Sequence, residues 1–79
     1  MEVKQMDYKL QVDKRATGLK IFRLIESSEW TREDIADFLG LASTRVIYYW
    51  TSGLKLPSTE NLINLAKLFN VRMEDILVI

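Results

Sequence analysis

The sequence predicts an all-α fold of five short helices, with a short β-strand in front of them. Apolar residues recur at helical spacing in five successive segments, and glycine or proline separates the later segments. Residues 6–13 instead alternate apolar and polar side chains with a period of two, which is the pattern of a half-buried strand. We therefore expect an N-terminal arm or strand over residues 1–13 and one helical domain over residues 14–79.

The composition narrows the classes of function. The chain has 79 residues and contains no cysteine and no histidine. Disulfides, zinc sites of the usual kind and catalytic groups that depend on imidazole are therefore not expected, nor is an enzyme, a metal or another cofactor. No apolar run approaches the roughly 20 residues that span a bilayer, and the N-terminus lacks the apolar stretch of a signal peptide. We expect a cytoplasmic protein with no membrane partner and no small-molecule ligand.

The charge is balanced over the whole chain but uneven along it. Eleven basic and eleven acidic residues give a net charge of zero, which opposes a nucleic-acid partner because phosphate binding normally requires a basic excess. Lysines and arginines crowd residues 4–23, and an acidic block follows over residues 26–37. A DNA-binding hypothesis therefore depends on local charge.

The predicted strand requires a partner, because a lone strand is not stable. The partner could be a second strand at residues 76–79, "ILVI", or the same strand of another subunit. A disordered arm with coincidental alternation is the alternative. Each of these segments leaves an edge or an apolar patch that a monomer would expose, so we expect a homodimer.

Capping residues place the first two helices. Asp13 can begin a helix that runs to about Ser27. Thr31, with Asp34 three residues later, resembles a capping box, so a second helix should start at Thr31. Gly40 follows at the position where a helix end needs a left-handed residue.

Three further helices follow. Ser43 can cap a helix that ends at Ser52, where Gly53 supplies the stop. Another helix opens at Ser58, after Pro57, and continues to about residue 69. A last short helix is expected over residues 72–77.

Helical periodicity separates core side chains from exposed ones. On the third helix, Ile47 and Trp50 lie on one side, whereas Tyr48 and its neighbour Tyr49 lie on the other. Both tryptophans are expected in the core, with Trp30 packing on the start of the second helix. Apolar spacing also predicts core positions for two phenylalanines, Phe22 and Phe38.

Two short helices joined by a glycine turn, the second displaying polar and aromatic side chains, have the geometry of a helix-turn-helix. The sequence resembles the Cro-like, or Xre, helix-turn-helix family of bacterial and phage repressors over about residues 19–78. The resemblance lies in "ADFLG" at 36–40, "IYYW" before Gly53, "LPS" at 56–58 and "NLINLAKLFNVRMEDIL" at 61–77. It implies a compact five-helix domain that binds double-stranded operator DNA, usually as a dimer, and regulates transcription.

The resemblance also implies roles for individual residues. The helix over residues 43–52 corresponds to the family's recognition helix, which enters the major groove. The residues implied to contact bases are Thr44, Arg45, Tyr48 and Tyr49. Those implied to contact phosphates are Arg32, Ser43 and Lys55.

This chain departs from the family pattern at three places. Arg32 stands where members typically have glutamine near a phosphate, and a guanidinium binds phosphate more strongly. The segment from Gly40 to Trp50 is one residue longer than the commonest pattern, which predicts a shifted register for the third helix. Thr51 and Ile25 replace a glutamate and an arginine that pair in many members.

Other interpretations remain open from the sequence. The two tyrosines could pack against the N-terminal strand or a partner chain, and the arginines could pair with acidic neighbours at the surface. The alternative function is a protein-interaction module, such as an antitoxin or anti-repressor. Zero net charge and the acidic second helix favour this alternative, whereas Arg32, Arg45 and Lys55 favour DNA.

Overall fold

The structure is a computed structural model that describes residues 9–79. These residues form four α-helices and one short 3-10 turn. The elements are α1 (Lys14–Glu26), α2 (Arg32–Leu39), α3 (Arg45–Thr51), α4 (Thr59–Phe69) and the 3-10 turn Met73–Asp75. The all-helical prediction is confirmed for this part of the chain, but the expected fifth helix over residues 72–77 is only the 3-10 turn. No helix within residues 9–79 has the length and apolar character needed to cross a membrane.

The predicted N-terminal strand is not confirmed. Residues 9–13 are irregular, residues 9–79 contain no strand, and residues 6–8 of the prediction lie outside the described residues. The segment does meet its expected neighbour, because the Asp13 N–H donates a hydrogen bond to the Val78 carbonyl oxygen at 2.7 Å. That single bond makes no ladder: Asp13 already begins α1, since its side chain accepts the Ala16 N–H at 3.0 Å.

The predicted helix caps are largely confirmed. Thr31 and Asp34 form the expected capping box, with both hydrogen bonds 3.0 Å long, and the Ser58 hydroxyl accepts the Asn61 N–H at 3.1 Å. Gly40 ends α2 in the left-handed region with φ 71°. The cap of α3 is Thr44, one residue later than the predicted Ser43. The Ser43 hydroxyl still accepts the N–H of Arg45, the first helical residue, at 3.2 Å.

The core lies where the four helices and the 3-10 turn meet. Isoleucine and leucine dominate it, together with Trp50, which is 3% exposed as predicted. The fully or nearly buried apolar side chains are Ile21, Ile25, Ile35, Ala36, Ile47, Trp50, Leu62, Leu65, Ala66 and Ile76.

Three aromatic residues predicted to be in the core lie at the surface instead. Trp30 is 43% exposed, Phe38 52% and Phe22 40%. Trp30 lies in the turn between α1 and α2, where its backbone N–H donates to the Ser28 hydroxyl at 3.1 Å. These exposed fractions show that the core predictions for all three aromatic residues are wrong. Ile35, which is fully buried, fills the core position on α2.

The backbones of α1 and of the C-terminal end of α3 pack closely together at two glycines. A Cβ atom at Gly18 would overlap the carbonyl oxygen of Trp50 and lie 2.9 Å from that of Thr51. Gly53, with φ 80°, completes the contact, since a Cβ there would lie 2.9 Å from the Arg15 Cα. Glycine at both positions therefore lets the two backbones touch.

The C-terminal segment is held by a side chain from α1. Thr17 is fully buried, and its hydroxyl accepts the Val78 N–H at 2.9 Å. The Asp13 N–H binds the carbonyl oxygen of the same residue. Both polar backbone groups of Val78 are therefore paired by the first helical turn of the domain.

We expect Gly18→Ala to lower the free energy of unfolding by about 1–3 kcal/mol, because the new methyl group overpacks against the end of α3. Helix propensity alone predicts the opposite, a gain of about 1 kcal/mol. Urea unfolding measures the change, and its sign distinguishes the two effects.

A matched glycine variant serves as the control for this prediction. A Cβ at Gly40 meets nothing within 4 Å, and asparagine tolerates the left-handed conformation, as Asn70 does with φ 58° at the end of α4. Gly40→Asn should therefore cost less than Gly18→Ala. Equal stability of Gly18→Ala and the wild type would contradict the proposed close contact.

We expect Thr17→Val to destabilise the domain by about 1–3 kcal/mol, because it leaves the Val78 N–H without an acceptor. Thr17→Ser keeps the hydroxyl and should retain more of the stability. Hydrogen exchange of the Val78 amide gives a direct readout: it should become faster in Thr17→Val. Unchanged protection in that variant would show that another group holds the segment.

Candidate nucleic-acid interface

The buried face of α3 determines which side chains the helix presents to solvent. Ile47 is fully buried and Trp50 nearly so, and Val46 packs against the core. On the opposite side Arg45 is exposed, and Tyr48 is 61% exposed. Periodicity therefore predicted the outward positions of Arg45 and Tyr48 correctly, whereas Tyr49 is half-buried.

A groove runs between the start of α2 and the start of α3. It brings together five of the seven residues that the sequence singled out. The lining residues are Arg32, Ser43, Thr44, Arg45 and Tyr48. The groove is thus lined by a guanidinium from each helix, by two hydroxyl-bearing residues and by a phenol ring. Such a set can donate hydrogen bonds to an anionic or polar ligand.

The remaining two predicted residues form a separate pair at the other end of α3. The Lys55 Nζ lies 5.7 Å from the centroid of the Tyr49 ring, within the range of a cation–π interaction. The Tyr49 carbonyl oxygen also accepts the N–H groups of Leu54 and Lys55 at 2.9 and 3.1 Å. Lys55 is therefore held close to the C-terminal end of α3.

The two tyrosines differ in their surroundings. Tyr49 is half-buried beside Lys55, whereas Tyr48 extends into the groove. Their ring centroids lie 6.3 Å apart, with the planes inclined at 59°, which is a common arrangement for an aromatic pair. Tyr48 is the more accessible of the two to a ligand.

Arg32 contacts an aromatic residue that sequence reasoning did not associate with it. Its guanidinium carbon lies 5.8 Å from the centroid of the Phe22 ring on α1. One terminal nitrogen, Nη1, is buried and has no hydrogen-bond partner among residues 9–79. Phe22 gave no signal of this role, because it belongs to the apolar series of α1 and is ten residues from Arg32 in the chain.

The nearby acidic residue Asp34 has a local structural role. Its carboxylate accepts the Thr31 N–H at 3.0 Å, and its own N–H donates to the Thr31 hydroxyl. A carboxylate at the N-terminus of a helix is also favoured by the helix dipole. Part of the negative charge in the acidic block is therefore used to start α2.

A helix-turn-helix family model matches residues 19–76, which is most of the chain and includes every residue of the groove. The chain belongs to this family. It is the Cro-like, or Xre, class of DNA-binding transcription regulators, so the resemblance seen in the motifs is confirmed. Searches of the curated proteins and of the solved structures gave no match.

The structure shows how this chain accommodates one of its departures from the family pattern, the loss of a charged pair between α1 and α3. Ile25 and Thr51 stand where many members have an arginine and a glutamate. Ile25 is 5% exposed in the core, and the Thr51 hydroxyl donates to the Tyr48 carbonyl oxygen at 3.3 Å. Loss of both charges together leaves no unpaired charge at either position.

Metal-binding groups are not clustered in the described part of the chain. Among residues 9–79, no three acidic, cysteine or histidine side chains are grouped in a way that could hold a metal ion.

Proposed function

We propose that this protein is a sequence-specific transcriptional regulator that places α3 in the major groove of an operator and acts as a repressor by occupying it. The observation that carries the proposal is the groove, in which Arg32 from α2 lies beside Thr44, Arg45 and Tyr48 at the start of α3. A recognition helix supported by a cation on the preceding helix is suited to one base-contacting and one phosphate-contacting surface.

Arg45 is the principal base contact in this proposal. It is exposed at the first position of α3, where a guanidinium can donate two hydrogen bonds to O6 and N7 of guanine. Thr44 and Tyr48 share its groove and are proposed to contact neighbouring base edges. Tyr49 is proposed to pack on a thymine methyl group.

Arg32, Ser43 and Lys55 are the proposed phosphate contacts. They lie on both flanks of α3, and Lys55 is held by its contact with Tyr49. Phosphate contacts fix the register of a protein on DNA, and the two cations Arg32 and Lys55 can make such contacts although the net charge of the chain is zero.

A homodimer and a cytoplasmic location complete the proposal. Two recognition helices related by a two-fold axis match an inverted repeat with half-sites about one helical turn apart. A regulator of bacterial or phage promoters acts in the compartment that contains the DNA. The arm over residues 1–13 is the proposed dimerisation element.

Selection of bound sequences from random DNA, followed by a salt series on the enriched pool, tests the function. An inverted repeat whose binding weakens steeply with salt supports a dimeric operator binder. A reporter fused to that sequence then distinguishes repression from activation. No enrichment would favour the alternative, an antitoxin or anti-repressor that binds a protein partner.

We expect Arg45→Ala to weaken binding to the selected site and to relax preference at one base pair, with a loss of about 1–3 kcal/mol of discrimination. Lys55→Ala should weaken binding to all sequences alike and reduce the salt slope by about 0.9. Fluorescence anisotropy with specific and random duplexes measures both effects.

Lys67→Ala is the control for charge removal. Lys67 is exposed on α4, which does not line the groove, so this variant should bind both duplexes nearly as the wild type does. An equal loss on specific and random DNA in Arg45→Ala would show that Arg45 does not contact bases.

Deletion of residues 1–12 should convert the dimer to monomers, because it removes the proposed dimerisation element and keeps Asp13, which caps α1. Sedimentation equilibrium of the full chain and of the truncated chain measures the change. A dimer for both chains would place the dimer contact elsewhere, and a monomeric full chain would contradict the proposed homodimer.

A further inference from the structure

Phe22 and Arg32 form a contact between α1 and α2 at the edge of the groove. The Phe22 ring is 40% exposed and lies 5.8 Å from the Arg32 guanidinium carbon. Arg32 is half-buried and is one of the residues that line the groove. Arg32 therefore both contacts an aromatic ring and lines the groove.

The burial of one guanidinium nitrogen of Arg32 has an energetic cost. Its Nη1 is buried and has no hydrogen-bond partner among residues 9–79. Removing part of a guanidinium from water is unfavourable unless another group compensates. The negative face of the Phe22 ring, over which the guanidinium carbon lies, can do so, since an aromatic face attracts a cation and interacts weakly with N–H donors.

This contact also restricts the side chain. A free arginine samples many rotamers, and ordering it on binding costs entropy. A guanidinium held against a ring is ordered before a ligand arrives, and its planar shape preserves the orientation of its other donors. A leucine at position 22 would cover a similar apolar area but would not attract the cation.

We infer that Phe22 is a positioning residue, whose ring holds the Arg32 guanidinium at the rim of the groove so that it meets a DNA phosphate in a preset orientation. The inference rests on the proposed function and extends it to a residue on α1 that does not line the groove. Phe22 acts through Arg32 and makes no contact with DNA itself.

The second cation–aromatic pair, Lys55 over Tyr49, is less suited to test this effect. Tyr49 is itself a proposed base contact, so its removal would alter positioning and base contact together. At Phe22 the two effects are separate.

The test is a double-mutant cycle on the full-length chain, with binding to a short duplex of random sequence and to the selected site at several salt concentrations. Phe22→Leu should weaken binding to both duplexes by roughly two- to fivefold, the range expected for one cation–π contact. Phe22→Tyr keeps an aromatic face and should bind as the wild type does. In the Arg32→Ala background, Phe22→Leu should have no further effect.

Phe38→Leu is the matched control. Phe38 is also an exposed phenylalanine on a helix, and the cation–aromatic pairs of the described residues involve Phe22 and Tyr49 only. The control variant should bind as the wild type does. Urea unfolding of every variant checks that each is folded under the binding conditions, and Phe22→Met replaces Phe22→Leu if the latter is not.

Three outcomes would overturn the inference while leaving the proposed function intact. Wild-type affinity in Phe22→Leu would show that the ring does not position Arg32. An equal loss in Phe22→Leu with and without Arg32 would indicate a packing role alone. A loss in Phe22→Tyr as large as in Phe22→Leu would exclude the aromatic face as the cause. If the wild type bound no DNA, the proposed function and the inference would both fail.

Discussion

The backbone contact between Gly18 of α1 and the last carbonyl groups of α3 determines where α3 lies. Trp50 buries its side chain in the core, while its carbonyl oxygen occupies the space that a Cβ at position 18 would need. Contacts between backbones leave less room for adjustment than contacts between flexible side chains. The outward direction of Arg45 and Tyr48 therefore depends on a glycine on a different helix, which contacts α3 at its C-terminal end.

Charge in this small domain is organised by position. The carboxylates of Asp13 and Asp34 accept backbone N–H groups at helix starts, so they stabilise helices in addition to balancing the total charge. The cations Arg32 and Lys55 each lie over an aromatic ring on a flank of α3. A zero net charge is thus compatible with a locally basic surface, because acidic and basic side chains serve different parts of the fold.

The segment that precedes α1 and the C-terminal tail meet at the start of α1. Val78 is bound through its N–H by Thr17 and through its carbonyl oxygen by Asp13. Alternation of side chains suggested that these segments pair, and they do approach each other. However, the buried Thr17 hydroxyl supplies one of the two hydrogen bonds. Within residues 9–79 the start of α1 therefore contacts the C-terminal tail without forming a sheet.

The sequence by itself determined the family and the starts of α1, α2 and α4, because these depend on residues close together in the chain. The Thr31 capping box needs a partner three residues away, and the family motifs are local patterns in a fixed order. Only the tertiary structure decided that Trp30 is exposed, that Phe22 lies under Arg32 and that Thr17 binds a residue 61 positions away. Helical periodicity identifies an apolar face, but the orientation of the neighbouring helices decides which part of that face is covered.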